Sequence, residues 1–97
     1  MINSKFLIYH DLIGFQVSGK LKSKAKNSKF QDFGTVIDDI QNMLVTEKNN
    51  MIRKYVKKDY IFRFELNGER LEVNGLKIIG LPENRLRSLK KKKWLRK

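Results

Sequence analysis

Residues able to carry out chemistry are few in this 97-residue chain, and their spacing argues against catalysis. His10 is the single histidine, and there is no cysteine. A histidine-based nucleophilic site needs a nucleophile beside the ring and an acid to orient it, and no motif supplies either. His10 reads instead as a partly exposed side chain at a helix end, favoured by the C-terminal dipole. Without thiols, neither a disulfide nor a thiolate metal site can form. Asp38-Asp39 has the composition of a Mg²⁺ site. Neighbours on a strand point to opposite faces, so the pair is expected to end a strand and open a turn through Gln41-Asn42. Gly34, Gly68, Gly75 and Gly80 are not spaced as a phosphate loop, and no Gly-Lys-Ser/Thr follows them. Tyr60, Phe62 and Phe64 could stack nucleobases, but at period two on a strand they read as core. No catalytic residue and no bound metal or cofactor is expected of the chain.

The basic residues are what remain. The net charge is +12, and its placement matters more than its size. Residues 1–29 carry six Lys against one Asp, and residues 82–97 carry eight basic groups against one Glu. The stretch between them is balanced. Self-repulsion of this size lowers stability unless a polyanion relieves it. Nucleic acid is the expected partner, and an anionic membrane surface is the weaker reading. Three groups of cations are candidates for phosphate contact, which positions a nucleic acid without reading its sequence. Lys20, Lys22, Lys24, Lys26 and Lys29 form the first. Arg53, Lys54, Lys57 and Lys58, around one hairpin arm, form the second. Arg85, Arg87, Lys90, Lys91, Lys92, Lys93, Arg96 and Lys97 form the third.

The elements that must position these groups fit one domain over 1–97. No apolar run reaches the roughly 18 residues of a membrane span. The start lacks a signal-peptide pattern, so a cytoplasmic location is expected. Ile2, Phe6, Tyr9 and Ile13 share one helical face, giving a helix over about 1–13. Leu7 and Ile8 lie on other faces, so the helix is either wrapped by its own fold or shared with a partner protein. A strand is expected from Phe15 to Leu21, with Ser18 to Lys29 reading as a mobile basic loop. Further strands follow at Phe33–Ile37, where Gly34 suggests a bulge or bend, at Met43–Glu47 and at Met51–Val56. Asn49-Asn50 suits the hairpin turn between the last two. Tyr60 to Leu66 alternates an aromatic face with Ile61, Arg63 and Glu65. Asn67-Gly68 then turns the chain into Leu71 and Val73, and Asn74-Gly75 turns it again. Short strands with tight turns suggest a mainly β chain closed into a small antiparallel barrel, which would remove the exposed sheet edges. Pro82 and Glu83 suit a helix start, giving a basic helix or tail over 82–97.

The order of these pieces resembles the family of archaeal ribonuclease P protein component 1, counterpart of a eukaryotic RNase P/MRP subunit. His10-Asp11-Leu12-Ile13-Gly14 is similar to the family's helix end. Phe33-Gly34-Thr35-Val36-Ile37-Asp38-Asp39 is similar to its strand of Gly, β-branched pair and acidic pair, and Asn42-Met43-Leu44-Val45 follows at the expected distance. Lys57-Lys58 leads into the aromatic strand Tyr60-Ile61-Phe62-Arg63-Phe64. Gly80, Pro82, Glu83 and Arg85 match the closing motif. The chain departs at Asp59, Leu81 and Asn84, where the family usually has Gly, Arg and Asp. The resemblance implies an Sm-like or SH3-like barrel with helical ends. It implies a non-catalytic subunit of a particle that removes the 5′ leader of precursor tRNA, with RNase P RNA carrying the catalysis and using Mg²⁺. It implies a zinc-ribbon protein subunit as nearest neighbour, and Phe6, Leu7, Ile8 and Tyr9 are the expected contact with it. A ribosomal protein or a chromatin protein is the alternative identity for a small basic barrel.

Overall fold

Alternation decides the central strands. Along Tyr60–Leu66, Phe62, Phe64 and Leu66 are buried while Arg63 and Glu65 point outward. The computed structural model describes residues 11–24, 28–66, 68–82 and 85. It contains six antiparallel strands: β1 (Gln16–Leu21), β2 (Gln31–Asp39), β3 (Met43–Lys48), β4 (Met51–Val56), β5 (Tyr60–Leu66) and β6 (Glu69–Asn74). They form one sheet in the order β4-β3-β2-β1-β5-β6. Tight turns set two of the registers. Asn49 and Asn50 both take positive φ, at 53° and 66°, which matches the right-handed twist of the flanking strands. Gly68 follows suit between β5 and β6, where Phe62 faces Val73 and Phe64 faces Leu71.

β2 is the strand that bends the sheet. Its pairing with β1 steps from Val17↔Gly34 to Ser18↔Asp32, leaving Phe33 as the extra residue. A second shift lies between Val36 and Asp38. Each bulge increases local twist, so the apolar faces turn toward one another. Gly19 makes room for this, because a Cβ there would sit 2.3 Å from the Phe33 ring. The core is Leu12, Val17, Phe33, Val36, Leu44, Phe62, Phe64, Leu66, Val73 and Ile78.

Three expectations need correction. The sheet is not closed: among the described residues no ladder joins β4 to β6. Among these residues β4 pairs with β3 alone, and its residues 51–54 are all exposed, so it stands as an open edge. The corner is instead covered by two 3-10 turns, Lys57–Asp59 and Gly75–Ile78, so close that a Cβ on Gly75 would lie 1.6 Å from the Lys57 carbonyl oxygen. The expected basic loop also begins later than Ser18. Residues 18–21 belong to β1 and pair with Arg63 to Tyr60 of β5, and Lys22–Lys24 forms a 3-10 turn. Leu12 is fully buried while Ile13 is exposed, the reverse of the helical-face reading. The chain has already turned there: Asp11 Oδ1 accepts from Ile13 N–H at 2.9 Å, Gly14 takes φ +94° and its N–H donates to Val36 O at 2.8 Å. The rest of the expected helix over 1–13, and most of the segment 82–97, lies outside the described residues. Pro82 and Arg85 have helical backbone, and Arg85 N–H donates to Leu81 O at 3.1 Å. No helix among the described residues is long and apolar enough to cross a membrane.

Candidate nucleic-acid interface

Two of the expected phosphate contacts point inward. Lys57 is 0% exposed and Arg85 is 5% exposed. Both converge on Asp39, the buried member of the acidic pair. Lys57 Nζ donates to Asp39 Oδ1 at 2.7 Å and to Ile78 O at 2.7 Å. Gly80 O and Gln41 O lie at 3.2 and 3.4 Å. Arg85 Nη2 donates to Asp39 Oδ2 at 2.8 Å, and Nη1 reaches Ile78 O at 3.0 Å and Gly80 O. Asp39 Oδ2 thus accepts from Arg85, while Oδ1 accepts from Lys57 and, at 3.5 Å, from Arg85 Nη1 as well. Ion pairs buried this deeply survive only when the remaining donors are satisfied, and the three carbonyls supply that. Asp38 points away and is exposed, so the acidic pair does not converge on one ion. Lys57 and Arg85 are therefore removed from the set of phosphate contacts, because their charge is already held by Asp39.

Burial pushes the Lys57 ammonium below its ordinary pKa of 10.5, helped by the Arg85 charge and opposed by the Asp39 carboxylate. A lysine with a depressed folded pKa loses its proton first in the folded state. Between that folded value and 10.5 the unfolded chain binds more protons, so stability rises with pH across the window. The melting temperature should accordingly rise, relative to a Lys57→Met variant, as pH climbs toward the ordinary lysine range from below it. Parallel melting curves for the two proteins across that range would remove Lys57 as the cause.

The other described cations face solvent. Lys20 is half-buried on β1, its Nζ 4.7 Å from the centre of the Phe30 ring. Arg63 packs on the same ring at 3.8 Å. Lys22 and Lys24 sit in the 3-10 turn after β1, and Lys29 is exposed before β2. Arg53 and Lys54 are exposed on β4. Lys58 is exposed and shares a cavity of about 330 Å³ with Asn42, Val56 and Ile79. Lys26, Arg87, Lys90, Lys91, Lys92, Lys93, Arg96 and Lys97 lie outside the described residues, as do Phe6, Leu7, Ile8 and Tyr9.

Lys20, Lys24 and Lys29 are brought together. They line a cavity of about 160 Å³ with Phe33, Tyr55 and Tyr60. Beside it, Arg53, Lys48, Asp32 and Met51 line a cavity of about 390 Å³ that shares Gln31, Phe33 and Tyr55 with the first. Lys48 is held at 3.5 Å from Asp32. The first two cation groups therefore meet across one aromatic floor. Sequence reasoning omitted Lys48, Phe33 and Tyr55 from the site. The signal available was period two: Met51, Arg53 and Tyr55 alternate along β4, opposite Lys48, Thr46 and Leu44 of β3.

A model of the family described as ribonuclease P/MRP subunit p29 matches residues 5–88. A ribonuclease P protein component 1 from Pyrococcus furiosus is 37% identical over 98 residues, covering 96% of this chain and 69% of that protein. Its counterpart from Methanocaldococcus jannaschii is 36% identical over 89 residues, covering 90% of each chain. The one from Staphylothermus marinus is 34% identical over 85 residues, covering 86% of this chain and 90% of the relative.

Proposed function

The chain belongs to the ribonuclease P/MRP subunit p29 family, and on that premise we propose that it works as an RNA-binding subunit of ribonuclease P. Its exposed lysines and arginines neutralise crowded phosphates, so the RNA reaches its working shape with less Mg²⁺. The RNA carries the catalysis and holds the Mg²⁺, and the particle trims the 5′ leader of precursor tRNA in the cytoplasm. A zinc-ribbon protein subunit is the neighbour, met by Phe6, Leu7, Ile8 and Tyr9.

The observation that carries this reading is the division of labour among cations. Lys57 and Arg85 are consumed inside the fold by Asp39, whereas Lys24, Lys29, Arg53, Lys54 and Lys58 all face solvent. Buried pairing secures the fold, and the exposed set supplies a field that attracts a polyanion.

Recovery of the tagged chain from its native extract at moderate salt tests the proposal. One RNase P RNA should be enriched, and the eluate should cleave precursor tRNA. Enrichment of ribosomal RNA or of duplex DNA instead would transfer the same surface to a ribosomal or chromatin role.

A further inference from the structure

We infer that the aromatic-floored cleft between β1, β2 and β4 holds an unpaired RNA base, with the phosphates on either side of it lying on the lysine and arginine walls. This rests on the RNA-binding reading above and adds to it a place where RNA is held by its base rather than by charge alone.

Three aromatic rings build the floor. Phe33 and Tyr55 stack with centroids 3.8 Å apart and planes 11° from parallel. Tyr60 stands edge-on to both, at 5.7 Å and 86° from Phe33 and at 5.4 Å and 87° from Tyr55. Phe33 also packs closely on Gly19. The floor is therefore already assembled without a ligand, which lowers the ordering cost of binding. Tyr55 and Tyr60 are only half-buried. Burial nonetheless pushes the Tyr55 hydroxyl above its ordinary pKa of 10.0, so it remains a hydrogen-bond donor at neutral pH.

The walls select the ligand. Lys24 and Lys29 line one cavity and Arg53 the other, while the Lys20 ammonium sits over the Phe30 ring. Among the described residues, Asp32 is the one acidic residue lining either, and it is engaged by Lys48. Gln31 sits where the two cavities adjoin, and its amide offers both a donor and an acceptor to a base edge. A flat π-surface flanked by anionic groups satisfies all three features at once. An acidic peptide would use the cations and leave the aromatic floor idle. A duplex stacks its bases on each other and offers no free base face. Single-stranded sites elsewhere combine a basic groove with aromatic platforms in this way.

The test compares two labelled strands of about twelve nucleotides at low salt, a single-stranded RNA and an abasic ribose-phosphate chain of equal length. The wild-type chain should bind the base-bearing strand about tenfold more tightly. Tyr55→Leu should erase that preference while leaving abasic binding intact, and Tyr55→Phe should retain it. Equal binding of both strands by the wild type overturns the inference, and if that binding is salt-sensitive the RNA-binding reading still stands. Failure to bind either strand overturns both. A full preference surviving in Tyr55→Leu also overturns the cleft assignment. Should Tyr55→Leu not fold, the wild-type comparison decides alone.

Discussion

Replacing Asp39 by Ala is expected to cost the domain about 3–5 kcal/mol, the penalty for leaving buried charge without its partner. A domain of this size has only about 5–15 kcal/mol in total, so the variant should unfold at a much lower urea concentration or not fold at all. The arithmetic of the cluster makes the effect specific. One carboxylate faces two cations, Lys57 at 2.7 Å and Arg85 at 2.8 Å. Removing Asp39 takes the carboxylate away from both. Removing Lys57 as Lys57→Met leaves Asp39 and Arg85 as a balanced pair, with Ile78 O and Gly80 O still served by Arg85. Lys57→Met should therefore be markedly milder than Asp39→Ala when both are unfolded in urea. Equal losses would mean that the cluster contributes packing volume and not charge balance.

The cluster also explains how an unclosed sheet keeps its shape. Asp39 ends β2, Lys57 follows β4, Ile78 ends the second 3-10 turn and Arg85 begins the C-terminal segment. Four stretches with no ladder between their strands are joined at one point. Backbone bonds support the same corner: Lys57 N–H donates to Asn42 O at 2.8 Å, and Gly80 N–H to Gln41 O at 2.7 Å. The residues that carried the family resemblance, Asp39, Lys57, Gly80 and Arg85, thus meet as one structural joint.

None of this was visible in the residue types alone. The alternation of Tyr60, Phe62, Phe64 and Leu66 with Arg63 and Glu65 is a local signal, and it located β5 and its buried face. Asn49-Asn50 and Asn67-Gly68 are local too, and both hairpins followed. Whether a lysine is a phosphate contact or the partner of a buried carboxylate depends on groups 18 residues away for Lys57 and 46 for Arg85. Chain closure failed for a similar reason. Strand count and turns permit a barrel, but whether β4 meets β6 is set by how the sheet bends, which is a tertiary quantity. The cleft lay between these cases, because the period of β4 marks Arg53 and Tyr55 as sharing a face, while the arrival of Lys20, Lys24 and Lys29 beside them depends on how β2 bends.

RNA affinity should fall a few hundredfold between 50 and 200 mM salt, the loss expected at the single-strand slope if about six phosphates are contacted. Each neutralised phosphate releases condensed counterions, so the slope counts contacts directly. Deleting residues 87–97 removes seven basic groups and no acid, and it leaves Arg85 in its buried place. The slope should become shallower by about 0.7 for every deleted cation that touched a phosphate, while the cooperative unfolding transition persists. Lys24→Ala and Lys29→Ala should each lower the slope by a similar step, since both face solvent beside the cleft. Lys57→Met should leave it unchanged, because that charge is spent on Asp39. The contrast separates two kinds of lysine that look alike in the sequence. A slope indifferent to the exposed lysines would remove the electrostatic account, and a slope that falls with Lys57 would show that the buried cluster opens when RNA binds.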